Sequence, residues 1–148
     1  MIAVIQRVAR ADVTIDRRTG GCIGTGLVIL LGIAKGDIES DADFLADKIF
    51  GLRIFSDENG KMNVSIKDVR GEALVISQFT LCGDWRKGRR PSFIGAAAPE
   101  EGKKLYEYFC TSLASQGVPV ETGEFGAMMD VSLINEGPVT FVLDSKQK

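Results

Sequence analysis

Hydrophobic residues alternate with other residue types through Ile2, Val4, Gln6 and Val8, and alternation resumes at Val13 and Ile15. A period of two puts successive side chains on opposite faces of an extended chain, so residues 2–16 are predicted as strand. Arg17-Arg18-Thr19-Gly20-Gly21 reads as a turn. Leu27 to Ile33 is a continuous apolar run bounded by glycines, the pattern of a buried strand. From 40 to 52 the period lengthens. Leu45, Ile49 and Leu52 share one helical face, Ser40 suits an N-cap, and Asp41 and Asp43 place negative charge in the first turn. Asp57-Glu58-Asn59-Gly60 is predicted as a turn, and Ala73-Leu74-Val75-Ile76 as a short buried strand. A second helix is predicted to begin near Pro99, followed by Glu100 and Glu101, with the stripe Leu105, Phe109, Leu113 and with Gly117 at C′. Short strands are predicted at Val118–Glu121, Val131–Ile134 and Val139–Leu143.

Strands therefore outnumber helices, in the order ββ-α-β-α-βββ. The pattern holds no repeat, low-complexity tract or interdomain linker. It predicts one compact α/β domain over residues 1–148, mainly β sheet and barrel-like, with two covering helices. A chain of 148 residues buries roughly 70% of its unfolded surface, enough for a core without disulfide or metal staples.

Composition narrows the chemistry. Apolar residues make up 45% of the chain and charged residues 26%, an ordinary globular balance. Cys22, Cys82 and Cys110 are odd in number and widely spaced, which argues for reduced thiols in a reducing compartment. The run Met1-Ile2-Ala3-Val4-Ile5 meets Gln6 and Arg7 too early for a signal-peptide core, and Gly26 to Ala34 is too short to span a bilayer. The expected location is the cytoplasm, with no membrane partner. A net charge of −2 excludes a general polyanion binder, so any nucleic-acid contact needs a local patch. Arg86, Lys87, Arg89 and Arg90 form the one candidate, although a solvated loop would carry the same charges. The chain has no histidine, which removes the commonest general base, the Ser-His and Cys-His dyads and most zinc sites. No metal and no cofactor are expected.

Two segments put polar residues where a buried strand ends. Ser77-Gln78-Phe79-Thr80-Leu81 follows the run 73–76, where loops are held by a rigid frame. Ser77 and Thr80 offer hydroxyls, and the local backbone offers N–H groups suited to an oxyanion. Ordinary strand-end hydroxyls bonded to backbone would look the same. Asn135-Glu136-Gly137-Pro138-Val139-Thr140 breaks two apolar strands; Gly137 tolerates unusual dihedrals and Pro138 fixes its own φ. A plain turn is the competing reading.

Taken together, the two segments resemble the paired motifs of the D-aminoacyl-tRNA deacylases of the glycine–cis-proline type. That family reads Ser-Gln-Phe-Thr-Leu in one motif and Asn-x-Gly-Pro-x-Thr in the other, and this chain matches both without a gap. The resemblance extends to Met1–Val8, to Lys87-Gly88-Arg89-Arg90-Pro91-Ser92-Phe93, and to Thr122-Gly123-Glu124-Phe125-Gly126-Ala127-Met128-Met129. It gives no role to Trp85 or to the Cys22 region.

The resemblance implies a carboxylic ester hydrolase acting on D-aminoacyl-tRNA and on mischarged glycyl-tRNA, releasing free amino acid and tRNA. It implies Ser77, Gln78, Phe79 and Thr80 as the catalytic segment, with backbone N–H groups around Phe79 and Thr80 stabilising the oxyanion. It also implies a homodimer in which a cis Gly137–Pro138 pair of one subunit enters the other's site and rejects L-amino acids by backbone atoms alone. Asn135, Thr140 and Met129 would support that arrangement. The missing histidine then fits an already activated ester, helped by the neighbouring ribose hydroxyl. Thr80 is the candidate nucleophile by residue type, but no side-chain base is available to activate it.

Two rivals come from other classes. One is an RNA-binding module without turnover, using the basic segment and Trp85 for stacking. The other is a thiol hydrolase using Cys82 or Cys110, which would need a base the composition does not supply.

Overall fold

The computed structural model describes residues 1–147 and is organised by one long strand, β1 (Ile2–Ile15). Its first half pairs antiparallel with β3 (Gly26–Gly32), and its second half with β2 (Arg18–Ile23). Its opposite edge pairs antiparallel with β8 (Asp130–Asp144), from Ile2↔Asp144 to Thr14↔Asp130. Beyond β3 the sheet continues in parallel through β6 (Glu72–Ser77) to β7 (Val120–Thr122). A separate hairpin, β4 (Phe55–Ser56) and β5 (Met62–Val64), turns through Asp57–Gly60 as predicted. Asp57 Oδ1 accepts the Asn59 and Lys61 N–H groups in that turn, each at 2.9 Å.

The sheet curls until β2 meets β7. A Cβ on Gly21 would lie 2.9 Å from the Thr122 carbonyl oxygen, so only a residue without one permits the approach. This curl gives the barrel-like form. Outside it, α1 (Glu39–Gly51) and α2 (Pro99–Ser115) pack on one face of the sheet. Leu45 and Ile49 of α1 and Leu105, Phe109 and Leu113 of α2 meet Ala3, Ile5, Leu27, Ile29, Ala73 and Val75 in that core. A second cluster (Val8, Ala11, Val13, Ile23, Val28, Leu74, Ile76) fills the inside of the curl. β3 and β6 thus have apolar cover on both faces, which is why their runs show no alternation.

The two-helix, strand-dominated class stands as predicted, and α2 runs from Pro99 with Gly117 just beyond its end at φ +93°. Several details differ. The turn after β1 is only Asp16 and Arg17, both at positive φ; residues 18–21 belong to β2. The hairpin strands β4 and β5 are additional, and 131–134 and 139–143 are parts of one strand. Ser40 does not cap α1. Ile38 is the cap, and its N–H donates to Asp41 Oδ2 at 3.0 Å, so a carboxylate three residues on reaches back. Leu52 has left the helix for an extended conformation. The alternation in β1 also has a different phase: Ala3 and Ile5 are buried under the helices, while Ile2, Val4 and Gln6 are half-buried.

The start of β1 is anchored by charge. The Met1 ammonium lies 2.8 Å from Asp37 Oδ1 and donates to Ser145 Oγ at 2.8 Å. Lys146 Nζ bridges Asp37 Oδ1 at 3.3 Å and Asp41 Oδ2 at 3.1 Å. No described helix is long and apolar enough to cross a membrane.

Candidate active site

β6 lies between β3 and β7, and its chain leaves the sheet at Ser77. Gln78 N–H still donates to the Leu31 carbonyl at 2.8 Å, after which the backbone tightens into a 3-10 turn, Phe79–Cys82. The Gln78 carbonyl accepts the Leu81 N–H at 3.2 Å, and the Thr80 carbonyl accepts the Gly83 N–H at 3.0 Å. At the start of such a turn the first N–H groups have no partner within it. Among the described residues, the Phe79 and Thr80 N–H groups donate to no other backbone carbonyl. Gln78 Nε2 donates to Thr80 Oγ1. Phe79 is 57% exposed, and its ring meets that of Phe93 edge-on, with centroids 5.0 Å apart. The segment therefore presents neutral donors and an aromatic wall, with no ionised partner hydrogen-bonded to its side chains among the described residues.

The second segment is a bulge rather than a turn. A step of two residues on β1, Gln6 to Val8, faces a step of five on β8, Thr140 to Asn135. The extra residues loop out of the ladder. Asn135 closes the loop with both ends of its amide: Oδ1 accepts the Val139 N–H at 2.7 Å, and Nδ2 donates to the Val139 carbonyl at 3.1 Å and to Thr140 Oγ1 at 3.0 Å. Gln6 Nε2 donates to the same hydroxyl at 3.3 Å. The Gly137–Pro138 bond is cis, and Gly137 has φ +142°. A Cβ at Gly137 would lie 2.6 Å from Val139 Cγ2, so the position requires glycine.

Arg7 holds this loop from behind. Its side chain is largely buried; Nε donates to the Glu136 carbonyl at 3.0 Å and Nη1 to the Ile54 carbonyl at 2.7 Å. The sequence pattern assigns no role to Arg7, Gln6 or Phe93, although the family resemblance spans all three. Arg7 shares the strand phase of Ala3 and Ile5, which the structure shows to be the buried one, and an arginine on a buried phase needs hydrogen-bond partners.

Within one chain the two segments stand apart. Ser77 is level with Leu31, Ala3 and Leu143 across four strands, so β6 and β8 are separated by three spacings, roughly 14 Å along the sheet. Glu136, Gly137 and Pro138 are exposed. Met129 lies nearer the first segment: it packs on the inner cluster, and a Cβ on Gly123 would lie 2.5 Å from its sulfur and 3.2 Å from Ile76 Cδ1.

The basic segment does not act as four equal charges. Arg86 Nε and Nη2 donate to the two Asp84 carboxylate oxygens at 2.8 and 2.9 Å. Hydrogen bonds from the Arg86 side chain and backbone hold the Asp84 carboxyl at about 2. Lys87, Arg89 and Arg90 are exposed and form no ion pair among the described residues. The thiols are poorly placed for nucleophilic work. Burial and the Asp37 charge push Cys82 up, and burial pushes Cys110 up to about 11. Among the described residues no group of three or more His, Cys, Asp or Glu side chains is placed to hold a metal ion.

Fold and site together define a small curled-sheet α/β protein with a neutral strand-end turn and a rigidly braced backbone bulge. The chain belongs to the D-Tyr-tRNA(Tyr) deacylase family, whose profile matches residues 4–144. It is 57% identical over 148 residues to a D-aminoacyl-tRNA deacylase of Koribacter versatilis, covering 100% of this chain and 99% of that one. It is 58% identical over 146 residues to one of Halalkalibacterium halodurans, covering 99% and 100%. Among solved structures, a c-Myc DNA unwinding element binding protein superposes with TM-score 0.92 at 39% identity, over 97% of this chain and 98% of that one. A probable eukaryotic D-amino acid tRNA deacylase superposes with TM-score 0.80 at 16% identity, over 96% and 97%, a likeness of fold.

Proposed function

We propose that this protein hydrolyses the ester linking a D-amino acid, or glycine, to tRNA and releases the free amino acid and tRNA. The single observation that carries the reading is the complete pair of segments, Ser77–Leu81 and Asn135–Thr140, in a chain belonging to this family.

In this reading the ester carbonyl sits at the 3-10 turn, with its developing oxyanion facing the Phe79 and Thr80 N–H groups. Water attacks the carbonyl carbon, the bond to the ribose oxygen breaks, and the adjacent ribose hydroxyl assists the proton transfer. Thr80 is a hydrogen-bonding group rather than a nucleophile: its hydroxyl accepts from Gln78, and no side-chain base adjoins it. Ser77 and Gln78 shape the pocket floor.

Chirality is read by the bulge. Its backbone carbonyls accept the substrate ammonium, and bracing by Arg7 and Asn135 fixes them in place. With ammonium and ester both placed, an L side chain runs into the carbonyls, a D side chain points away and glycine passes. The three strand spacings that separate β6 from β8 within one chain, and the exposure of Glu136–Pro138, support a homodimer in which each bulge completes the partner's pocket. A substrate of this kind supports a cytoplasmic location.

The test is parallel deacylation of D-tyrosyl- and L-tyrosyl-tRNA by purified protein. D-ester and glycyl-ester should be cleaved while L-ester largely survives. Comparable rates on the two tyrosyl substrates sink the proposal, and tRNA affinity without cleavage favours the RNA-binding rival.

A further inference from the structure

Between the catalytic turn and α2 the chain makes a loop whose base is tightly tied and whose tip is open. Asp84 and Ser92 exchange both backbone hydrogen bonds, at 2.8 and 2.9 Å, closing residues 85–91 into a loop. Phe93, one residue beyond, stacks edge-on against Phe79, and a Cβ on Gly83 would lie 2.9 Å from the Phe93 ring. The base of the loop is therefore packed against the catalytic turn. Its tip turns at Gly88, φ +73°, and carries Lys87, Arg89 and Arg90, all exposed and outside any ion pair among the described residues. Arg86 is held back by Asp84.

The chain's only tryptophan is in the same loop. Trp85 is 76% exposed, so the faces of its indole are open to a partner. It lines a cleft of about 330 Å³ together with Ile2, Ala34, Leu81, Cys82 and the Asp84–Arg86 pair. That volume is at the small end for ligand sites and suits one planar ring system. An exposed indole beside a base-sized cleft, on a loop whose tip carries three cations outside any ion pair among the described residues, is the composition of a single-strand nucleic-acid platform. An acidic peptide would use the cations but would have less need of the flat cleft.

Resting on the function proposed above, we infer that this loop docks the unpaired 3′ end of the substrate RNA. A base upstream of the terminal, esterified adenosine stacks on Trp85, while Lys87, Arg89 and Arg90 contact phosphates. Trp85 is five residues from Thr80, and part of that span is compressed into a 3-10 turn. The platform therefore lies within a few nucleotides of the reacting ester. Its contacts position the substrate and carry no information about the amino acid.

The single tryptophan allows a direct test on the full-length protein. Uncharged tRNA should quench Trp85 fluorescence, and tRNA trimmed of its unpaired 3′ nucleotides should not. Trp85→Ala should raise KM for D-tyrosyl-tRNA about tenfold, the size of one lost base stack, with kcat little changed. Trp85→Phe should restore most of the loss. Neither variant should alter cleavage of 3′-(D-tyrosyl)adenosine, which lacks the upstream nucleotides. Replacing Lys87, Arg89 and Arg90 by Gln should lower the salt slope of tRNA binding by about 2 in log–log terms. Equal losses on tRNA and on the adenosine ester, quenching by trimmed tRNA, quenching by an acidic peptide but not by tRNA, or a changed oligomeric state in Trp85→Ala would each overturn the inference. Failure of the wild-type protein to cleave either ester would instead overturn the proposed reaction; the quenching experiment still decides the docking site.

Discussion

Arg7 Nε lies 3.0 Å from the carbonyl oxygen of Glu136, so a buried guanidinium on the first strand grips the backbone of a loop on the last. The grip is on the peptide and leaves the Glu136 side chain free to vary. Hydrogen bonds from a charged donor are worth about 1.5–3 kcal/mol each, and Arg7 makes a second, to the Ile54 carbonyl. Arg7→Ala should therefore destabilise the fold by about 3 kcal/mol in urea unfolding and reduce discrimination between D- and L-tyrosyl-tRNA. Glu136→Gln should change either measurement little, because its carboxylate is exposed and lies 3.7 Å from Nε. A Glu136→Gln variant as impaired as Arg7→Ala would show that charge, not backbone bracing, is what matters.

Thr80→Ala removes an acceptor for Gln78 and nothing that the proposed chemistry breaks or forms. A fall in kcat within about tenfold is expected, against a loss of some ten-thousandfold or more for deletion of a nucleophile. Single-turnover rates on D-tyrosyl-tRNA distinguish the two, provided binding is intact.

The reach of the sequence differed from element to element. α2 was legible because proline, acidic first turn, apolar stripe and terminal glycine all pointed the same way. In β1 the alternation was visible but its phase was not, since both faces of the sheet are covered and half-buried Val4 looks as apolar as buried Ile5. The start of α1 was misplaced because Ser40 looked a better cap than Ile38, whereas the contact that forms is the Asp41 carboxylate reaching back. Residues 135–140 were found but read as a break. Nothing local distinguishes a turn from a bulge, because the difference lies in the partner strand, where Gln6 and Val8 continue to pair. The pairing of Arg86 with Asp84 was likewise hidden, as was the role of Arg7, whose partners are backbone atoms far along the chain.

Two inactive variants should rescue each other if the pocket is shared. Gly137→Ala loses the bulge geometry, because a Cβ would meet Val139, while Ser77, Gln78 and Thr80 replaced together by Ala lose the turn. After subunit exchange, a heterodimer holds one site with both segments wild type and one with both altered. Activity should return toward half of the wild-type value per heterodimer. Demonstrated exchange with no recovery would place both segments' action within a single chain.

Acid should loosen the clasp between the chain's two ends. Burial opposes ionisation of Asp41, but hydrogen bonds from Ile38 N–H, Lys146 and Ser145 outweigh it and hold the carboxyl at about 2, down from 3.8. A depressed folded-state value means the stabilisation is fully present above about pH 4 and is lost as pH falls toward 2. Unfolding free energy should drop across that window in the wild type. Asp41→Asn should be less stable at neutral pH and show a shallower drop. Parallel curves for the two proteins would remove Asp41 from the account.

The pairing of β1 with β8 also bears on how the chain is made. From Ile2↔Asp144 to Thr14↔Asp130, one whole edge of the first strand waits for the last strand to be synthesised. Until then that strand edge is exposed on the nascent chain, and the pairing that covers it joins residues far apart in sequence. The inner cluster and the bulge brace at Arg7 both depend on that late pairing. A chain stopped before residue 130 therefore has no partner for that edge of its first strand.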